Sequence, residues 1–409
     1  MRKLHIARFG LLAALLLIAI QPVYGQAESA TVVVPKGQTI KIAVVTDLTG
    51  PIAQFGKDIS NAAELAVAQA NEAGGIKGFQ VEAIVEDDRC SPQDGTTVAN
   101  KVVSDPQIVA VMGHICSGAT IAASDLYEQA RIPMMSPSAT AANVTERGLD
   151  VMNRVAFRDD VQGVVDANYI YKVLKFTKIA VMHDNDAYGV GLAEVVQNTF
   201  IALGGEVVAF EGINVADQDF RPVLTPIAAK GPEAIFFGGY VQQAVLLVPQ
   251  MKDVGMSDVV FFSDDGVYGQ ALIDGAGDAA NGVYASFAET PKVDPERLTA
   301  FDTAYEKMFD VKPSDLGPFH YHAYDSTNMI LAAIDKVAEV DADGNLVIDR
   351  EALIKALRET KDFDGLTGVL TCDAKGDCGA GSIAVNEVED GKWVAVELPP
   401  DLVTPTTAQ

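Results

Sequence analysis

Positive charge is the first scarcity. The 409 residues carry 30 lysines and arginines against 56 aspartates and glutamates, a formal charge of -26. A surface of that sign repels phosphate backbones and anionic headgroups, so nucleic acid and membrane surfaces are not expected partners. Cysteine is scarce too: there are four, none in a Cys-x-x-Cys pair, so the spacing of a zinc site is missing. Catalytic signatures are lacking. No Walker loop, Gly-x-Ser-x-Gly elbow or His-Glu-x-x-His occurs, and Gly275-x-Gly277 has no third glycine for a dinucleotide fingerprint. His320-x-His322 has no evident third metal ligand. The loop opening at Asp341 puts Leu346 where a calcium loop needs glycine and Ala352 where it needs glutamate. No metal, no cofactor and no enzymatic activity are expected. Asp264 and Asp265 are adjacent and diverge from a strand end, a poor acid/base pair.

Disorder is excluded as well, because charged residues make up only 21% and hydrophobic ones 49%. A single core rarely grows past about 250–300 residues, so this length predicts two lobes.

One N-terminal segment reads as an address. Arg2, Lys3 and Arg8 precede an apolar run from Leu11 to Ile20, followed by Gln21-Pro22 and small-residue Val23-Tyr24-Gly25. That is the pattern of a secretory signal peptide over 1–25, cleaved near Gly25. An uncleaved anchor is the alternative, but the run is short against the roughly 20 residues that span a bilayer. No cysteine follows the run to carry a lipid. Cleavage removes three positive charges and no negative ones, taking -26 to -29. In an exported chain disulfides persist. Cys372 and Cys378 flank a short turn and are expected to bridge locally, which leaves Cys90 and Cys116 to pair between two βα loops.

Short β-branched runs recur along the rest of the chain: Lys41–Asp47, Val81–Val85, Ile108–Gly113, Lys178–His183, Glu206–Phe210, Glu233–Gly238 and Val259–Ser263. Between the first two, Ile59, Ala62, Ala63, Ala66, Val67 and Ala70 share one helix face, and Gly74-Gly75 stops it. Leu192, Val195, Val196 and Leu203 repeat the pattern before Gly204-Gly205. This alternation predicts an α/β fold with right-handed βαβ units and two doubly wound, Rossmann-like lobes. Further on, helices are expected over Pro295–Phe309, Tyr324–Val340 and Arg350–Lys361, with a turn at Asp341–Asn345 and a strand-turn-strand end.

Polar loops sit at the carboxyl ends of these strands, where open α/β sheets bind ligands. Thr46–Pro51, His114–Ser117, Ser136–Thr140, Asp184–Gly189, Gly238–Tyr240 and Ser263–Gly266 come from both series, so a ligand touching them all lies in a cleft between lobes. At these residues the chain resembles the periplasmic leucine/isoleucine/valine-binding proteins, the receptor subunits of ABC importers. The likeness is carried by Thr49–Gly56, Gly74–Gly78, Gly113–Ser117, Ser136–Thr140 and His183-Asp184 with Tyr188-Gly189, and it extends over about 39–398.

The resemblance implies a type I periplasmic binding protein whose two lobes are joined by three hinge crossovers and close on a small amino acid. It implies an inner-membrane ABC permease as partner, a periplasmic location and a monomer. The organisation it suggests is an N-terminal extension at 26–38, lobe I from 39–157 with 288–378, lobe II from 158–287 with 379–398, and a frayed tail at 399–409. Matched residue by residue, Ser117, Ser138, Ala139 and Thr140 fall on the family's carboxylate- and ammonium-binding loops. Independently, Ser117 and Thr140 stand on loops entering helices, where hydroxyls and helix N–H groups suit a carboxylate, although serine and threonine there also serve as plain caps. Asp265 aligns with an acidic residue for the ammonium. The family carries glutamate at that place, and adjacent Asp264 is the other candidate. Phe55, Tyr188 and Tyr240 match aromatic positions of the side-chain pocket, with Ile115 and Cys116 as its floor and Phe319 and Tyr324 closing the cleft. Leucine, isoleucine or valine is the expected ligand. A receptor for amides, urea or aromatic carboxylates, or a ligand sensor, is the alternative on the same scaffold.

Overall fold

Runs of valine, isoleucine and alanine buried on both faces need cover from helices on both sides, and the chain supplies it by alternation. The structure, a computed structural model, describes residues 31–289, 292–379, 382–399 and 402. The expected signal peptide with its cleavage site, the start of the expected extension and most of the expected tail lie outside them.

In chain order the elements are β1 (Thr31–Val34), β2 (Ile40–Thr46), α1 (Ala53–Glu72), β3 (Val81–Asp87), α2 (Pro92–Ser104), β4 (Ile108–Met112), α3 (Ser117–Ala130), β5 (Met134–Ser136), α4 (Asn143–Glu146) and β6 (Met152–Arg154). There follow α5 (Asp159–Asn168), β7 (Lys178–His183), α6 (Ala187–Ala202), β8 (Glu206–Gly212), α7 (Arg221–Lys230), β9 (Ala234–Gly238), α8 (Val241–Asp253), β10 (Val260–Ser263), α9 (Gln270–Ala276) and β11 (Tyr284–Ala288). The last part holds α10 (Pro295–Phe309), α11 (His320–Val337), β12 (Glu339–Val340), β13 (Leu346–Asp349), α12 (Arg350–Arg358), β14 (Phe363–Asp364), β15 (Val369–Leu370), β16 (Ile383–Glu389) and β17 (Lys392–Ala395).

Two sheets organise these elements. The first, in the order β3-β2-β4-β5-β6, is wholly parallel. Helices α1 and α11 pack together on one of its faces, and α2 and α3 on the other. The second runs β17-β16-β11-β10-β9-β7-β8 and is parallel from β11 to β8, with β16 antiparallel to both β11 and β17 at the edge. Strand order reverses between β2 and β4 in one sheet and between β7 and β9 in the other, the switch points outside which ligands bind. The chain passes between the lobes after β6, after β11 and before β16.

The helix read from Ile59 to Ala70 is α1, which buries Ile59, Ala62, Ala63, Ala66 and Val67 and ends before Gly74, at φ +105, and Gly75, at φ +72. Three elements differ from expectation. Thr31–Val34, within the expected extension, is a strand antiparallel to β13. The helix expected at Tyr324–Val340 begins at His320 and ends at Val337, because Val340 pairs with Leu346 across the Asp341 turn. The helix expected to reach Lys361 ends at Arg358, beyond which Cys372 N–H bonds to the Thr360 carbonyl. Among the described residues, no helix is long and apolar enough to cross a membrane.

Candidate functional site

The first wall grows from the end of β2. The Asp47 carboxylate accepts the N–H groups of Gly50 and of Ile52, the latter at 2.8 Å, and so folds the loop back on its strand. A Cβ on Gly56 would lie 1.6 Å from the Asp47 carbonyl oxygen, so only glycine lets α1 start this close. Ile52, Phe55 and Ile59 thereby face the cleft.

The second wall is the start of α3 with the loop after β5. Cys116 is bonded to Cys90, with Cα atoms 5.3 Å apart, which ties the α3 N-terminus to the loop after β3. Ser117 Oγ accepts the N–H of Ala141 at 3.2 Å and keeps its own proton available. Ser138 donates to the Ile115 carbonyl at 2.9 Å, so its hydroxyl serves the loop. Thr140 Oγ1 is buried and has no hydrogen-bond partner in the protein. A free hydroxyl donor, an unpartnered hydroxyl and a helix N-terminus make an anion site without a cation.

Arg154, the last residue of β6, was not singled out by its sequence, and it shapes this wall. Its guanidinium is fully buried and donates to the carbonyls of Ala139, Thr140 and Ala141 at 3.1, 2.8 and 2.8 Å, and to Asp377 at the third crossover. Its strand reads Met-Asn-Arg, with no apolar run to mark it, so the sequence carried no local signal for this role.

The opposite lobe contributes the polar end. Tyr188 OH donates to Asp265 Oδ1 at 2.7 Å and accepts the Gly266 N–H at 3.2 Å. Tyr240 packs beside it, ring centroids 5.2 Å apart. Asp264 is held by the N–H groups of Gly239 and Gly266 at 3.0 and 3.1 Å and does not line the cavity, whereas Asp265 does. Burial pushes Asp265 up to about 6, against the pull of its hydrogen bonds from Tyr188 and Gln162. Behind it lies more acid: Asp159 is held well above the carboxylate range by burial and by the nearness of Asp265, and Asp166 likewise, chiefly by burial.

Together these walls enclose a narrow space of about 20 Å³, room for roughly one water. Of the residues expected there, the structure brings together Phe55, Ile115, Ser117, Ser138, Thr140, Tyr188, Tyr240 and Asp265, along with Phe319. Ala139 and Cys116 are not on the wall. Ala139 gives its N–H to Ser136 Oγ and its carbonyl to Arg154, with its methyl in the core behind, and Cys116 turns to its disulfide. Tyr324 is also elsewhere, donating to Gln69 Oε1 and packing edge-on against Phe301. Ile52, Ile59 and Gly266 join the lining without having been singled out. A Cβ on Gly266 would meet the Gly239 carbonyl oxygen at 2.4 Å and both tyrosine rings at 3.1 Å. Hydroxyls and a helix N-terminus from one lobe, a carboxylate from the other and apolar rings on the same wall suit a zwitterion with an apolar side chain. No lysine or arginine lines the cavity among the described residues.

A family model described as periplasmic binding protein matches residues 39–392. The leucine-, isoleucine-, valine-, threonine- and alanine-binding protein of Pseudomonas aeruginosa is 37% identical over 339 residues, 83% of this chain and 87% of that one. The Leu/Ile/Val-binding protein of Escherichia coli is 33% identical over 340 residues, 83% of this chain and 88% of that one. Among solved structures, the branched-chain amino acid transporter substrate-binding protein LivJ of Streptococcus pneumoniae, in complex with isoleucine, superposes with a TM-score of 0.78 at 29% identity, covering 90% of this chain and 100% of that one.

Proposed function

The chain belongs to the periplasmic binding protein family, and on that premise we propose that it captures a small aliphatic L-amino acid, leucine, isoleucine or valine, between its lobes. The observation that carries this reading is that Ser117 and Thr140 of one lobe and Asp265 of the other line one cavity. Ser117 and Thr140 donate to the ligand carboxylate, Asp265 receives its ammonium, and Phe55, Ile115, Tyr240 and Phe319 surround its side chain. The names of the relatives from Pseudomonas aeruginosa and Escherichia coli support the same class of ligand.

The wider role follows from the family. The receptor works as a monomer in the periplasm after loss of residues 1–25, presents the closed form to an ABC permease and performs no chemistry. Its lobes divide at the crossovers, 39–157 with 288–378 against 158–287 with 379–398.

Mass spectrometry of the small molecules released on denaturing the purified protein tests this directly. The expected result is an aliphatic amino acid at up to one per chain, replaced on dialysis against excess leucine. Release of an aromatic carboxylate or an amide that leucine does not displace would overturn it.

A further inference from the structure

Helices α3 and α6 meet across the cleft, and neither has a side-chain cap from its own N-cap residue. The N-cap of α3 is Cys116, which is tied up in its disulfide, and the first turn of that helix carries no acidic residue. Thr120 N–H reaches the Cys116 carbonyl at 2.9 Å, so the N–H groups before it have no partner inside the helix. The N-cap of α6 is Asp186, a residue type that ordinarily caps its own helix, yet its side chain makes no cap bond there.

The Asp186 carboxylate is turned onto α3 instead. A Cβ on Gly118, the second residue of α3, would lie 2.6 Å from both carboxylate oxygens and 3.2 Å from the carboxyl carbon, so the group rests directly on the helix turn. Asp186 N–H donates to Asp184 Oδ1 at 2.9 Å, which fixes the loop that presents it. Asp186 Oδ2 is buried and has no hydrogen-bond partner among the described residues. Burial raises the carboxyl, against the pull of the Tyr188, Ala187 and Gly118 N–H groups. An anion at the positive end of a helix is favourable, more so where it is partly buried. Ser117 lines the amino-acid cavity and Asp186 does not, so Asp186 leaves the place of the ligand carboxylate free.

We propose that Asp186 is a positioning residue for closure: its carboxylate caps α3 from the facing lobe, a contact that exists only while the lobes are together, and Gly118 is the gap that admits it. The proposal rests on the reading of the chain as a closing receptor. The contact contains no ligand atom, so it favours the closed form before the cavity is filled and slows release afterwards.

Small-angle X-ray scattering of the ligand-stripped full chain reads the ratio of closed to open molecules. Asp186→Ala should lower that ratio about fivefold, the worth of one helix cap, and Asp186→Asn should keep it within about twofold, because asparagine caps as well as aspartate. Identical scattering from the parent chain and Asp186→Ala would overturn the proposal. Leucine dissociation, followed by stopped flow, is the second readout. Asp186→Ala and Gly118→Ala should each speed it about fivefold, and the double variant should be no faster than Asp186→Ala alone, since the added methyl then has no carboxylate to displace. Alanine suits a helix better than glycine, so Gly118→Ala keeps the fold. Effects that multiply in the double variant would also overturn the proposal. A parent chain that fails to bind leucine would count against the amino-acid assignment alone, and the scattering would still decide the role of Asp186.

Discussion

Asp265 carries the carboxylate of the cavity wall, and its protonation decides what the site holds. Burial raises it to about 6, so it is an anion at neutral pH and neutral in mild acid. An ammonium favours the anion. Affinity for an α-amino acid should therefore be full above about pH 6 and fall as pH drops through that value, with protons released on binding there, while a deaminated analogue such as 4-methylpentanoate should show no such fall. Asp265→Ala should weaken leucine by about 10- to 100-fold and 4-methylpentanoate by less than about threefold, read by calorimetry. Equal losses would remove Asp265 from the ammonium role. Arg154 makes a second residue-scale prediction. Replacing it with methionine takes the donor from the Ala139 carbonyl and leaves the Thr140 and Ala141 carbonyls with only the Asp159 and Val144 N–H groups and Asp377 with only Arg158 and Thr145, so stability in urea should fall by about 1–3 kcal/mol. Ser117, Thr140 and Asp265 were legible in the sequence because strand ends and family motifs both point to them. Arg154 was not, since its partner Asp377 lies 223 residues further along the chain.

At the scale of elements, the Cys90–Cys116 bridge fastens the loop after β3 to the N-terminus of α3, one residue before Ser117. It closes a 26-residue separation, so the Cys90→Ser, Cys116→Ser double variant should lose about 3 kcal/mol in equilibrium unfolding. Leucine affinity should drop with it, because the α3 end that receives the carboxylate loses its tether; unchanged affinity would make the bridge a stability device only. The longer elements were the readable ones. β7 occupies Lys178–His183 as its β-branched run indicates, and α10 occupies Pro295–Phe309. β5 and β6, three residues each, are too short to show a period, and they are held by β4 and by each other rather than by local preference. The first turn of α11 was missed because His320 and His322 look polar in sequence. In the fold both are buried, His320 Nδ1 meeting Asp58 Oδ2 at 3.1 Å.

For the whole molecule, the two switch points face each other across a space that holds little more than a water, so a ligand reaches it only when the lobes part. Their close approach is visible at Gly118, where a Cβ would sit 2.6 Å from both carboxylate oxygens of Asp186 in the other lobe. The acidity of the chain has little to do with recognition. Of the acidic side chains, Asp265 lines the cavity, and the others there are hydroxyls, rings and aliphatic groups. The central claim, capture of one small aliphatic amino acid per chain, is tested most directly by isothermal titration of ligand-stripped protein with L-leucine, L-isoleucine and L-valine at neutral pH. One site per chain with micromolar or tighter affinity for at least one of them is the predicted result, and no binding to any of the three would contradict it.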